Sequence, residues 1–395
     1  MKRNPNKSDY RSNPGYTIHD YGHDRTVFSL GNSGQQALRR RQRRRRLLVW
    51  LVPVALLTAG GILAWSLLGQ DNNPAATTKE PTLMPTATAN TPAAATTTAT
   101  SVPTTAAATS AATVGAAERA SRLTTAGNEA LAVLKGKTGR FAIFYQNLQN
   151  GEKWQSNADQ PFVAASSIKL GINTYLYTKM ASGEIKADEI LTYDNRPYPT
   201  GDYEAGTGTI QNQPNGTRMT VRQTSGLSIR ISDNCGTNMV IRRLGGIDAV
   251  NVFLSGVSAV VDYRKTVSYK NYAGTAVSGR HRSCAMDLGL HAVKLYQLWQ
   301  ANPAVYQPLV DDLCQTEFDF GVQKGVPAGI KVAHKIGTNG TYNAENDVAI
   351  IWANEPYVLC IMTEMGSAAA AHQIQADLSG IFYNYILSCA APASK

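Results

Sequence analysis

Apolar positions are distributed along this chain in four different ways. Residues 1–46 are rich in Asn, Ser, Tyr and Arg and show no apolar period, which predicts a disordered tail. Residues 47–68 are 22 positions without a single charge, and residues 69–115 collapse to Thr, Ala and Pro, a composition that cannot bury a core. Ordinary patterning begins at Ala116. The Ala-, Leu- and Glu-rich stretch 117–134, with Gly136 just past its end, predicts a helix. Strand character follows at 140–146 (RFAIFYQ), Asn150-Gly151 supplies a turn, and 152–156 predicts a second short strand. From Leu170 to about Ala328 most of the chain reads as helix and loop. Strands return at 332–336, 347–353 and 357–363, and 372–387 predicts a last amphipathic helix. Residues 116–395 are therefore expected to form an α/β (α+β) domain. Its antiparallel sheet is formed by both chain ends, flanked by helices, and carries an inserted all-helical subdomain.

Charge changes the reading of the first segments. The net charge is +10, but residues 1–46 hold twelve Lys or Arg against three Asp, which leaves the rest of the chain close to neutral. No nucleic acid partner is expected for so nearly neutral a globular part. Seven of those arginines lie between positions 39 and 46, directly before the apolar run. Positive flanks stay cytoplasmic, so 1–46 is expected to be a basic cytoplasmic tail and 47–68 a transmembrane signal anchor, passing once through the cell membrane. The long lead before the run and the lack of a lipobox cysteine favour an uncleaved anchor over a signal peptide. Residues 69–115 then form an extracytoplasmic linker, which at the polyproline rise reaches on the order of 100 Å. The five cysteines (Cys235, Cys284, Cys314, Cys360, Cys389) leave at least one thiol unpaired, with room for one or two disulfides. Neither they nor the six histidines show a metal-ligand spacing, and no cofactor is implied.

The candidate chemistry starts at 161–170, PFVAASSIKL, where Ser166 stands three residues before Lys169. A serine hydroxyl needs a base to become a nucleophile, and a lysine serves when its ammonium is desolvated enough to lose a proton. Positions i and i+3 share a helix face, so a helix opening at Ser166 is expected to lay Lys169 over the hydroxyl. Ser232-Asp233-Asn234 follows 66 residues after Ser166, and Lys335-Ile336-Gly337-Thr338 ends a predicted strand 103 residues further on. Gly206-Thr-Gly-Thr-Ile210 leads into the middle motif. Alone, each tripeptide reads as a cap or a turn.

Together and in this order they resemble the penicillin-recognising serine enzymes, most closely the class A β-lactamase domain, over nearly all of 116–395. Phe162 to Lys169, Asn238, Leu244-Gly245-Gly246, Met286-Asp287-Leu288 and His334 before the third motif add to the likeness. The resemblance implies a β-lactamase/transpeptidase-like fold and an acyl-enzyme formed on Ser166 with Lys169 as base. It implies Ser232 as a proton relay and Asn234 as the residue that holds the substrate amide and positions Lys169. Backbone amides of Ser166 and Thr338 would form the oxyanion hole, while Lys335, Gly337 and Thr338 line the substrate-binding strand, with Lys335 and Thr338 meeting the substrate carboxylate.

Two departures from the pattern matter. Ile336 stands where the third motif normally carries a hydroxyl residue. The family's loop glutamate, which activates the deacylating water, is expected near Ser268, yet no glutamate occurs from Gly245 to Thr316. That stretch carries Arg264, Lys265, Lys270, Arg280 and Arg282 with Tyr263, Tyr269 and Tyr272, read either as a solvated surface or as a site for an anionic substrate. The substrate readings are thus a β-lactam, with its turnover in question, or a peptidoglycan D-Ala-D-Ala stem peptide handled by a carboxypeptidase or transpeptidase. A non-catalytic cell-wall binding domain is the reading from outside enzymology.

Overall fold

The computed structural model describes residues 16–21, 25–30, 114–261, 269–277 and 282–390. The apolar run 47–68 and nearly all of the linker lie outside the described residues, as does the stretch 262–268 of the basic loop. Among the described residues no helix is long and apolar enough to cross a membrane. The chain divides into two units, Met1–Val102 and Pro103–Lys395. In the first, β1 (Tyr16–Tyr21) pairs antiparallel with β2 (Arg25–Leu30), where the sequence predicts a disordered tail. The Thr, Ile, Val and Phe content of these short runs favours extended backbone even though the surrounding composition is polar.

The second unit is built on a five-stranded antiparallel sheet. Helix α1 (Ala116–Leu134) leads into β3 (Arg140–Asn147) and β4 (Lys153–Ser156), and the chain later returns with β11 (Lys331–Asn339), β12 (Ala344–Trp352), β13 (Pro356–Glu364) and the final helix α8 (Ala368–Cys389). The spatial order β11-β12-β13-β3-β4 closes the sheet where the two chain ends meet, β13 against β3. Successive residues of one strand serve opposite cores: Ile143 and Tyr145 pack with Ala126, Leu378 and Phe382 of α1 and α8, while Ala142 and Phe144 pack with residues such as Leu288 and Ala292 on the other side. A sheet covered on both faces has little use for polar alternation, and β13 is buried at every position. The stacked pair Tyr145 and Phe382, with centroids 5.0 Å apart, anchors the outer layer. Replacing Phe382 by Ala would cost about 3–5 kcal/mol by cavity formation.

Between β4 and β11 runs the inserted half. After β5 (Phe162–Val163) come the 3-10 turn Ala165–Ile168 and α2 (Lys169–Ala181), a helix with most of its surface buried. The helices α3 (Val221–Arg230), α4 (Asn234–Arg243), α5 (Ile247–Val257), α6 (Ala285–Ala301) and α7 (Pro303–Cys314) surround it. Thr220 and Gln223 form a reciprocal capping box at the start of α3. The insertion is not purely helical: β6 (Ile190–Thr192) pairs with β7 (Arg218–Thr220), β8 (Tyr269–Lys270) with β9 (Ala276–Val277), and β10 (Arg282–Ser283) with β5. These are two- or three-residue runs, too short to carry a period in sequence.

Candidate active site

The segment 161–170 changes conformation twice, from β5 to the 3-10 turn and then to α2. Ser166 therefore sits in a 3-10 turn, and the α-helix expected to open at Ser166 begins at Lys169. Ala165 has φ +48°, a left-handed backbone that disfavours any residue with a Cβ. It is held there by neighbours from a distant strand: Asn346 Nδ2 donates to Val163 O at 2.8 Å and to Ala164 O at 3.1 Å. Ser167 Oγ also donates to Ala164 O at 2.5 Å, so Ser167 turns inward while Ser166 stays at the surface of the cavity.

Lys169, 5% exposed, points its ammonium into the wall of the helical half. Nζ donates to Ser232 O at 2.7 Å, Asn234 Oδ1 at 2.8 Å and Ser232 Oγ at 3.3 Å. Burial dominates its titration and lowers the pKa to about 7, against the opposing fields of Asp233, Glu204 and Cys235. Among the described residues, no side chain hydrogen-bonds the Ser166 hydroxyl. Lys335 is fully buried and donates to Ser232 Oγ at 3.2 Å and to Ile336 O at 3.1 Å. Burial, then the charge of Lys169, pushes Lys335 well below the usual lysine range, with Asp347 opposing. The Ser232 hydroxyl thus stands between two lysine nitrogens, and a hydroxyl both accepts and donates.

Each motif residue around this centre has a local reason. Ser232 also has a positive φ, +55°. Its carbonyl is tied by Thr207 Oγ1 at 2.7 Å as well as by Lys169. Asp233 caps α4 by accepting from Gly236 N at 2.9 Å, and it gathers the preceding loop by accepting from Thr209 N at 2.6 Å and Ile210 N at 2.9 Å. A Cβ on Gly208 would lie 2.2 Å from Asp233 Cγ, which explains the Gly-Thr-Gly run. On β11, a Cβ on Gly337 would lie 2.5 Å from Ala164 O and Ser167 N and 3.0 Å from Ser166 N. Strand and serine turn meet backbone to backbone, and only glycine permits it.

A cavity of about 420 Å³ opens at this junction. Ser166, Lys169, Asn234 and Thr338 line it, while Ser232, Lys335 and Gly337 are packed behind its wall, so all seven expected residues converge. One residue that the sequence did not single out joins them: Glu204 lines the same cavity, its Oε2 accepting from Asn238 Nδ2 at 3.2 Å. The family pattern places its glutamate after the second motif, whereas Glu204 precedes that motif, just ahead of Gly206.

Of the basic stretch, Arg264, Lys265, Tyr263 and Arg280 lie outside the described residues, and among the described ones Val277 reaches the cavity. Tyr269 donates to Glu364 Oε1 at 2.5 Å and Arg282 is buried, so these two serve the structure. His334 is likewise structural, held between Asp347 at 3.1 Å and Thr316 Oγ1 at 3.1 Å. None of the five cysteines is disulfide-bonded.

Both the sequence and the fold have known relatives. The model of the "Beta-lactamase enzyme family" matches residues 126–386. Beta-lactamase VEB-1 of Pseudomonas aeruginosa is 22% identical over 287 residues, 65% of this chain and 88% of the relative. Beta-lactamase 3 of Bacillus cereus is 26% identical over 251 residues, 60% of this chain and 73% of the relative. Among solved structures, PBP-A superposes with a TM-score of 0.58 at 23% identity, over 67% of this chain and 97% of its own. The family match runs from the middle of α1 to the last turns of α8, so every residue of the three motifs falls inside it, and the chain belongs to the β-lactamase enzyme family of serine hydrolases.

Proposed function

We propose that Ser166 attacks the carbonyl carbon of a β-lactam, opening the ring and leaving an acyl-enzyme. Lys169, neutral by desolvation, takes the hydroxyl proton. Ser232 passes a proton from Lys169 or Lys335 to the departing nitrogen. The N–H groups of Ser166 and Thr338 hold the developing oxyanion, fixed donors that need no reorganisation as charge builds. Asn234 holds the substrate amide, and Thr338 on the cavity wall, with Lys335 as a donor behind it, meets its carboxylate. The observation that carries this reading is Lys169: a buried ammonium with a pKa brought down to about 7, on the wall shared with Ser166, has no structural purpose that an apolar side chain would not serve better. β-Lactams are the substrate class named for the relatives, and a variant of PBP-A has been captured as an acyl-enzyme with penicillin G.

The domain works outside the cell membrane, held by a single anchor at 47–68 with the N-terminus cytoplasmic and the 69–115 linker as its stalk. Support for this topology is the arginine cluster before the apolar run. A reporter enzyme fused after residue 115 and active only in the cytoplasm would overturn it. A D-Ala-D-Ala stem peptide is the second reading, favoured by the glutamate-free stretch Gly245 to Thr316. Both substrates are tested together. A fluorescent penicillin should label the wild type and not Ser166→Ala, and purified stem pentapeptide should then show whether terminal D-Ala is released. Equal labelling of the two proteins would refute Ser166 as the nucleophile.

A further inference from the structure

We propose that Glu204, supplied by the loop ahead of the second motif, is the general base that hydrolyses the acyl-enzyme on Ser166. This rests on the acyl-enzyme reading and extends it to the half of the cycle for which the stretch Gly245 to Thr316 provides no glutamate. Three observations carry it. First, Glu204 shares the 420 Å³ cavity with Ser166 and Lys169, and its field is felt at the Lys169 ammonium. The carboxylate and the serine therefore face one solvent volume.

Second, the carboxylate is aimed. Asn234 and Asn238 are one turn apart on α4. Asn234 Oδ1 holds Lys169 Nζ at 2.8 Å, and Asn238 Nδ2 holds Glu204 Oε2 at 3.2 Å. One helix face thus sets the base of acylation and the carboxylate side by side.

Third, the Glu204 backbone is clamped. Asn238 Nδ2 also donates to Asp202 O at 3.2 Å, and buried Asp202 is paired with Arg242, with Nη2 to Oδ2 at 2.8 Å and Nε to Oδ1 at 2.9 Å. Cys235 Sγ accepts from Glu204 N at 3.5 Å and donates to Glu204 O at 3.6 Å. A surface glutamate without a task would not be gripped at its side chain, at both of its main-chain groups and at its neighbour.

The step balances as ester hydrolysis. Glu204 takes a proton from water as the water oxygen bonds to the acyl carbon of the Ser166 ester. The tetrahedral oxyanion collapses, the bond between that carbon and Oγ breaks, and Glu204 returns the proton to Oγ. The product leaves as a carboxylic acid, with serine and carboxylate restored.

The test is an intact-mass time course of the full chain in detergent with benzylpenicillin at pH 8, comparing wild type with Glu204→Gln. Gln keeps an oxygen for Asn238 but accepts no proton. The expected result is acylation of both proteins at similar rates, a transient adduct on the wild type, and decay slowed by about 10²–10⁴ in the variant. Formate added to Glu204→Ala should restore part of the decay, which repair of a merely structural defect would not do. Equal decay in wild type and Glu204→Gln, or a persistent wild-type adduct, overturns the role of Glu204 while leaving acylation standing. No adduct on either protein removes the acyl-enzyme reading and this proposal with it.

Discussion

Acylation of Ser166 is expected to lose about tenfold for each pH unit below 7, and the reason is local. Lys169 is 5% exposed, so its ammonium has given up most of its water, and this outweighs Asp233, Glu204 and Cys235, which favour the charged form. Only the neutral amine accepts the serine proton. With a pKa of about 7, roughly nine-tenths of the enzyme is competent at pH 8, about a tenth at pH 6 and about a hundredth at pH 5. Stopped-flow measurement of the second-order acylation rate from pH 5 to 9.5 should give a limb of unit slope with its midpoint near 7 and a plateau above 8. Glu204→Gln removes one of the charges that favour the ammonium, so its limb should lie at lower pH than the wild type's. A rate still climbing at pH 9.5, as an ordinary lysine would give, would refute the desolvation argument. A flat profile would remove Lys169 as the base.

Other expectations follow from the same geometry. Gly337→Ala places a Cβ 2.5 Å from Ala164 O and Ser167 N and must push β11 off the serine turn; acylation should fall by about 10²-fold or more with circular dichroism unchanged, and an unaltered rate would contradict the close approach. Lys169→Met should change the pH dependence of stability. The folded value near 7 lies below the unfolded one, so the folded chain binds fewer protons between about pH 7 and 10, and wild type gains stability across that window while the variant does not. From pH 7 to 9 the gain is about 3 kcal/mol at most, or roughly 5 °C in the difference between the two melting temperatures; a constant difference would count against the buried charge. Burial raises the thiols of Cys284, Cys314 and Cys360, that of Cys314 to about 11. Ellman titration should therefore be slow in the native protein and give five thiols per chain after unfolding, whereas three would reveal a disulfide.

What could be read from the sequence was what has a short-range cause. β12 and β13 carry unbroken apolar runs, Val348 to Trp352 and Tyr357 to Met362, because both faces of the sheet are covered, and their positions were legible to within a few residues. Asp233 and Gly208 answer each other across the loop before α4, so the middle motif carried its own explanation. The 3-10 turn at Ser166 was not legible. Ala165 adopts φ +48° because Asn346 reaches across from β12, a tertiary contact with no trace in the local pattern. Glu204 was hidden for the same reason: what makes it part of the site is Asn238 on α4 and the pairing of Asp202 with Arg242, both more than thirty positions away.

The strained and costly features of this domain gather where its two halves meet. Ala165 and Ser232, each next to or part of the reacting machinery, hold positive φ at about 1–3 kcal/mol apiece. Lys169 and Lys335 direct two buried amines at one hydroxyl. None of this is stable within one half alone. Asn346 and Gly337 belong to the sheet and fix the serine turn, while Thr207, Asp233 and Asn234 belong to the helical insertion and fix Ser232 and Lys169. Lys335 crosses from β11 to reach the helical half through Ser232 Oγ. The proposed nucleophile, base and relay, Ser166, Lys169 and Ser232, therefore keep this arrangement only while sheet and insertion stay docked. Opening of that seam separates Lys335 from Ser232 and exposes the apolar core that the sheet shares with the helices, Phe144 and Val348 against Leu288 and Ala292, so the site and that core are lost together.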